Sequence, residues 1–120
     1  MSNEHALQAK TADVALRIIK LVEALPTAPV GKVIGHQVLR SGTSIGANYR
    51  AAARAKSKAD MLNKLKIVEE EADETFYWLE LLVKSNTIPE NRLRPLMNEV
   101  EQIIALTVAS IKTIRANQRS

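Results

Sequence analysis

Met61-Leu62-Asn63-Lys64-Leu65-Lys66-Ile67-Val68-Glu69-Glu70-Glu71-Ala72-Asp73-Glu74-Thr75-Phe76-Tyr77-Trp78-Leu79-Glu80-Leu81-Leu82 is the stretch on which the fold turns. Along it Met61, Leu65, Val68, Ala72, Thr75, Leu79 and Leu82 recur in alternating steps of four and three. That spacing keeps one apolar edge on one side of a helix, the seam of a helical bundle or coiled coil. Just upstream, Ser57-Lys58-Ala59-Asp60 reads as a helix start. The Ser57 hydroxyl can accept from the backbone N–H three residues on, and Asp60 suits the positive end of the helix dipole. A helix over about 58–84 follows.

Three more periodic segments flank it. In the first, about 4–25, Leu7, Val14, Ile18, Leu21 and Leu25 form one stripe. Pro26 ends it. Pro29 suits the first turn of a second helix, about 30–56, whose face carries Ile34, Val38, Ile45 and Tyr49. This helix is rich in small residues, including Gly31, Gly35, Gly42 and Gly46. Each glycine costs about 1 kcal/mol against alanine, so the helix needs close packing in compensation. A break around Ser41–Ser44 is the competing reading. Continuity is preferred because the apolar spacing stays in phase across the glycines. The fourth segment, about 90–116, follows Thr87-Ile88-Pro89-Glu90, which reads as a capping box. Its stripe runs from Leu93 through Val100, Ile103 and Val108 to Ile114. Four helices with short connections predict an all-α, antiparallel up-down-up-down four-helix bundle, one domain over 1–120.

Composition agrees with that class. Hydrophobic residues make up 46% of 120, yet only Tyr49, Phe76, Tyr77 and Trp78 are aromatic, so the core must be aliphatic. There is no cysteine, which excludes disulfides, thiolate metal sites and cysteine nucleophiles. No run approaches the roughly 20 apolar residues of a membrane helix, and Met1-Ser2-Asn3-Glu4-His5 has no apolar run like a signal peptide. A cytoplasmic location is expected. Seventeen Lys and Arg against thirteen Asp and Glu give +4, a mild bias toward anionic partners.

Four constellations could carry function. Neither Gly31-Lys32 nor Gly42–Gly46 has the order of a phosphate loop or dinucleotide fingerprint, so close helix packing is the reading of the glycines. The acidic run Glu69–Glu74 lacks the Glu-x-x-His pairs of di-metal bundles, and the only histidines are His5 and His36. Within it Glu71 and Glu74 lie nearest the seam and could pair with an arginine of another helix or another subunit. On the second helix Lys32, His36, Arg40, Arg50 and Arg54 fall within an arc of about 80°. Lys56 and Lys58 extend it. Such a stripe could track a phosphate backbone, or be the ordinary charged outside of a helix. No aromatic interleaves, so contacts would be to backbone or shape rather than to bases. Lastly, Ile67, Trp78 and Leu81 form a second apolar arc on the third helix, and Leu106 lies off the fourth helix's stripe. A second strip indicates either a wide core or a subunit contact. No nucleophile with its base stands out, and no cofactor is implied.

Several segments together resemble a known family: Thr11-Ala12-Asp13-Val14-Ala15-Leu16-Arg17-Ile18-Ile19; Leu39-Arg40-Ser41-Gly42-Thr43-Ser44-Ile45-Gly46-Ala47-Asn48-Tyr49-Arg50; Arg54-Ala55-Lys56-Ser57-Lys58-Ala59-Asp60; and the acidic run followed by Tyr77-Trp78-Leu79. They are similar to the bacterial four-helix-bundle family whose founding members are encoded in intervening sequences of 23S ribosomal RNA genes. The likeness spans about Ala6 to Ile114. Some members carry glutamate where this chain has Ala52. The resemblance implies an up-down bundle assembled as a homopentameric barrel with a central channel. A more distant relative, the accessory variability protein of diversity-generating retroelements, has a positively charged barrel and binds nucleic acid and a reverse transcriptase. The resemblance brings no enzymatic activity.

The expectation is therefore a non-enzymatic, ring-shaped homo-oligomer without membrane contact, holding RNA or DNA through Lys32, His36, Arg40, Arg50, Arg54, Lys56 and Lys58. Its subunits would meet through Ile67, Glu71, Glu74, Trp78 and Leu81. The alternative is a protein–protein adaptor, for example an accessory subunit of a reverse transcriptase.

Overall fold

The computed structural model describes the backbone of residues 2–119 and the side chains of 6–117. Four helices follow one another: α1 (Ser2–Glu23), α2 (Pro29–Ala53), α3 (Lys58–Lys84) and α4 (Glu90–Arg119). There is no strand among the described residues. Each helix packs on its sequence neighbours, and α4 returns to pack on α1, which closes a bundle about 52 Å long and 23 by 20 Å across. Short connections make successive helices antiparallel. The chain therefore brings the start of α1, the end of α2, the start of α3 and the end of α4 to one pole.

The core lies where the four stripes meet. Val14 and Ile18 of α1, Val38 and Ile45 of α2, Val68, Leu79 and Leu82 of α3, and Val100 and Ile103 of α4 are wholly buried. α2 is continuous across the small-residue stretch. Its hydroxyls fold back onto the helix: Thr43 donates to the Leu39 carbonyl and Ser44 to the Arg40 carbonyl, each at 2.8 Å. The glycines are where α1 and the connector after it come close. A Cβ on Gly42 would lie 2.4 Å from Ile18 Cδ1, and one on Gly31 would lie 2.3 Å from the Pro26 carbonyl oxygen.

The helix ends follow local chemistry. α1 stops at Glu23, short of Leu25, because a residue before proline is pushed out of the helical region, and Pro26 follows Leu25. α2 stops at Ala53, before Lys56. Ser57 must be extended (φ −151°, ψ 163°) to cap α3, where its side chain accepts from the Asp60 N–H at 3.1 Å. α3 closes in a Schellman turn. Asn86 is left-handed (φ 60°), the Thr87 N–H reaches the Leu82 carbonyl, and the Asn86 N–H reaches that of Val83. The expected capping box at Thr87 does not form, since a cap there would need helical Ile88, which Pro89 disfavours. α4 begins instead at Glu90, and the Thr87 hydroxyl pairs with that of Ser85 at 2.8 Å. α4 runs past Ala116 to Arg119.

Candidate nucleic-acid interface

The face of α2 turned away from the core carries the expected basic side chains. Lys32, His36, Arg40, Arg50 and Arg54 are exposed, as are Lys56 in the connector and Lys58 at the start of α3. They do not form one continuous stripe. At about 1.5 Å rise per residue, Lys32 and Arg50 are some 27 Å apart along α2. The residue between them that would bridge the gap, Arg40, is committed elsewhere.

Register places that commitment. α2 and α3 meet at a buried hydrogen bond of 2.9 Å between the hydroxyls of Ser41 and Thr75. One residue before each, Arg40 and Glu74 therefore face each other across the outer edge of the seam. Arg40 Nη2 pairs with Glu74, and Nη1 reaches Glu71 Oε1 at 3.3 Å. The Trp78 indole N–H donates to Glu74 Oε2 at 3.1 Å. The hydrogen bond to Glu74 holds the Arg40 guanidinium above its already high ordinary pKa. The Trp78 N–H, and then Arg40, hold the Glu74 carboxyl below its ordinary value. Arg40 is thus neutralised within the chain and leaves the set of free cations. Glu71 and Glu74, expected at a subunit contact, have their arginine on the neighbouring helix of the same chain.

What remains divides into two poles. Around Lys32 and His36 the charges are mixed, with Glu23, Glu80 and Glu90 near the same helix ends. The other pole is different. Tyr49 and Ala53 of α2, Met61 and Leu65 of α3, and Leu106 and Ile114 of α4 line one apolar groove, which shows these helix ends converging. Residues 50–66 and 106–117 carry eight lysines and arginines and a single carboxylate, Asp60. With 17 basic and 13 acidic residues in all, the rest of the chain is net acidic. Arg50, Arg54, Lys56, Lys58, Lys64 and Lys112 enter no ion pair among the described residues. Lys66 and Arg115 line a groove between α3 and α4 together with Glu69, Glu70 and Asp73, so their charge is locally offset. Sequence reasoning missed Lys64 and Lys112, because only the fold brings α3 and α4 to the end of α2.

The second apolar arc is partly absorbed. Trp78 and Leu81 pack against the core while remaining half exposed, and Tyr77 meets Trp78 edge to face at 5.1 Å between ring centroids. Ile67 is half-buried. A further apolar patch lies on α1, where Leu16 is 60% exposed and Ile19 is open to solvent. Leu16 sits about 160° round the helix from buried Ile18, an offset the sequence already carried. Among the described residues no group of three or more His, Cys, Asp or Glu is placed to hold a metal ion. Nor is any helix long and apolar enough to cross a membrane.

Comparison with known proteins gives this geometry a context. A family model described as 23S rRNA-intervening sequence protein matches residues 3–109. A solved structure from Bacteroides thetaiotaomicron VPI-5482, described as a protein of unknown function from the S23 ribosomal protein family, is 40% identical. It superposes with a TM-score of 0.86, over 92% of this chain and 98% of that one. No curated protein matches the chain.

Proposed function

This chain belongs to the 23S rRNA-intervening sequence protein family, and from that premise we propose that it is a non-enzymatic scaffold that assembles into a ring and holds RNA on a cationic pole. The observation that carries the reading is the set of unpaired cations at the meeting point of α2, α3 and α4, in a chain whose remainder is net acidic. Their position supports attachment to a polyanion through its backbone. RNA is the favoured polyanion because the family's description names an element of a ribosomal RNA gene.

The ring rests on two unlike apolar faces. Leu16 and Ile19 lie on α1, whereas Trp78, Leu81 and Ile67 lie on α3. When one face of a subunit seats on a different face of the next, the contact is heterologous, and it closes into a ring if the rotation allows. Five copies is the number that the family resemblance implies. In a cyclic ring every cationic pole points the same way. Weak sites are then linked, and their combined hold exceeds that of any one.

Filter binding across a salt series, with the native particle mass measured in parallel, tests the reading. The expected result is binding at low salt that falls steeply as salt rises. Arg50→Ala with Arg54→Ala should weaken binding for all sequences alike and lower the log–log salt slope by about 0.7–0.9 for each phosphate that is no longer neutralised. Arg40→Ala should leave that slope where it was. No binding at low salt, or binding indifferent to salt, overturns the proposal. A monomeric particle removes the ring.

A further inference from the structure

We infer that the cationic pole selects double-helical over single-stranded RNA, an inference that rests on the RNA-binding reading above. Proteins that grip single strands combine a basic groove with aromatic platforms on which unstacked bases lie. The pole has no such platform. Of the four aromatic residues, Tyr49 is buried, and Phe76 and Trp78 are half-buried against the core. Tyr77 alone is well exposed, but it stands toward the far end of α3, away from the cationic pole, flanked on its own face by Asp73 and Glu80. A strand held at the pole would therefore find no aromatic face on which to lay its bases.

The cations themselves suit a duplex. Arg50 and Arg54 stand on successive turns of α2, Lys56 and Lys58 on the connector and the start of α3, Lys64 on α3 and Lys112 on α4. They stand on three helices and a connector at one end of a bundle 23 by 20 Å across, rather than in file along one helix. Rigid helix ends hold them in a fixed array. A duplex offers a matching fixed array of phosphates from two strands, whereas a flexible strand must lose conformational freedom to present one. Recognition through shape and phosphates is the usual mode for double-stranded RNA.

The test is fluorescence anisotropy on the full chain with a labelled RNA duplex of about 16 base pairs, and with an unstructured single strand of the same length. Both are measured at about 50 mM salt, where phosphate contacts are strong. The duplex is expected to bind at least tenfold more tightly. Lys58→Glu with Arg54→Glu should abolish that binding, while Tyr77→Ala changes neither affinity. Equal affinities, or a tighter single strand, overturn the duplex preference and leave RNA binding standing. A loss of single-strand binding in Tyr77→Ala also overturns it, by revealing a stacking platform. If neither RNA binds, both this inference and the RNA reading fall.

Discussion

Gly31 and Gly46 stand in the same helix, one against the connector that leaves α1 and the other against α1 itself, yet replacing each with alanine should move stability in opposite directions. A methyl on Gly31 would sit 2.3 Å from the Pro26 carbonyl oxygen, about 0.7 Å inside the closest approach that real side chains show. That oxygen is backbone in the tight connection between α1 and α2, so relief requires shifting the connection itself. Overpacking of this kind costs about 1–3 kcal/mol. Alanine's helix preference returns at most about 1 kcal/mol, and less in a first turn. The net expectation for Gly31→Ala is a loss of about 1–2 kcal/mol. At Gly46 the nearest atom, Thr11 Oγ1, is 3.4 Å from the added carbon, an ordinary contact. Helix preference then acts nearly alone, and Gly46→Ala should gain about 0.5–1 kcal/mol. Thermal unfolding at matched protomer concentration reads the pair as shifts of opposite sign, each of a few degrees. If both variants shift the midpoint the same way, the connector and α1 do not approach α2 as described.

Two further predictions concern single sites. Asn86 sits at φ 60° in the turn after α3, so Asn86→Gly should hold or raise stability, while Asn86→Val should lose about 1–2 kcal/mol; urea midpoints would show it, and a neutral valine would refute the left-handed turn. Glu74 has a lowered carboxyl pKa, so its contribution is in place above the ordinary value of 4.5 and is lost as pH falls below that value and through the folded one. Wild-type protein should therefore lose stability between pH 6 and pH 3 more steeply than Glu74→Gln, and parallel acid profiles for the two would contradict the Arg40–Glu74 pair.

The helices were legible because their signals are local. Caps, prolines and stripes act within a turn or two, and Ser57, Pro26 and the Met61–Leu82 seam each act where they stand. The exception is instructive: Thr87 and Glu90 had the spacing of a capping box, but Pro89 between them vetoes a helix start at Ile88. The free cations were harder. Arg40 shares the solvent arc of α2 with Arg50 and Arg54, and a helical wheel treats the three alike. It lies at the edge of that arc, and which edge faces a neighbour depends on how the connector at 54–57 sets α2 against α3. Both halves of the ion pair were visible in sequence, with Glu71 and Glu74 near the seam, but the match between them is a matter of register. The same limit hid Lys64 and Lys112, which stand on other helices and share only the pole with Arg54.

Losing Arg40 changes the electrostatics more than one side chain in seven suggests. Exposed charges sum only within about a Debye length, roughly 8 Å at physiological salt. Arg50 and Arg54 are about 6 Å apart along α2, inside that range, whereas Lys32 lies some 27 Å from Arg50, more than three screening lengths away. With Arg40 paired, nothing relays the field between the two ends of α2. On the proposed reading the pole near Arg54 would have to attract a polyanion by itself, and Asp60 is the single carboxylate in residues 50–66 and 106–117 around it. A net charge of +4 spread evenly over 120 residues would steer a partner weakly. Here the excess of positive charge is drawn to one end of a rod 52 Å long and the remainder is net acidic, which gives the molecule a direction. A ring of such rods, aligned by rotation about one axis, would keep that direction and multiply it.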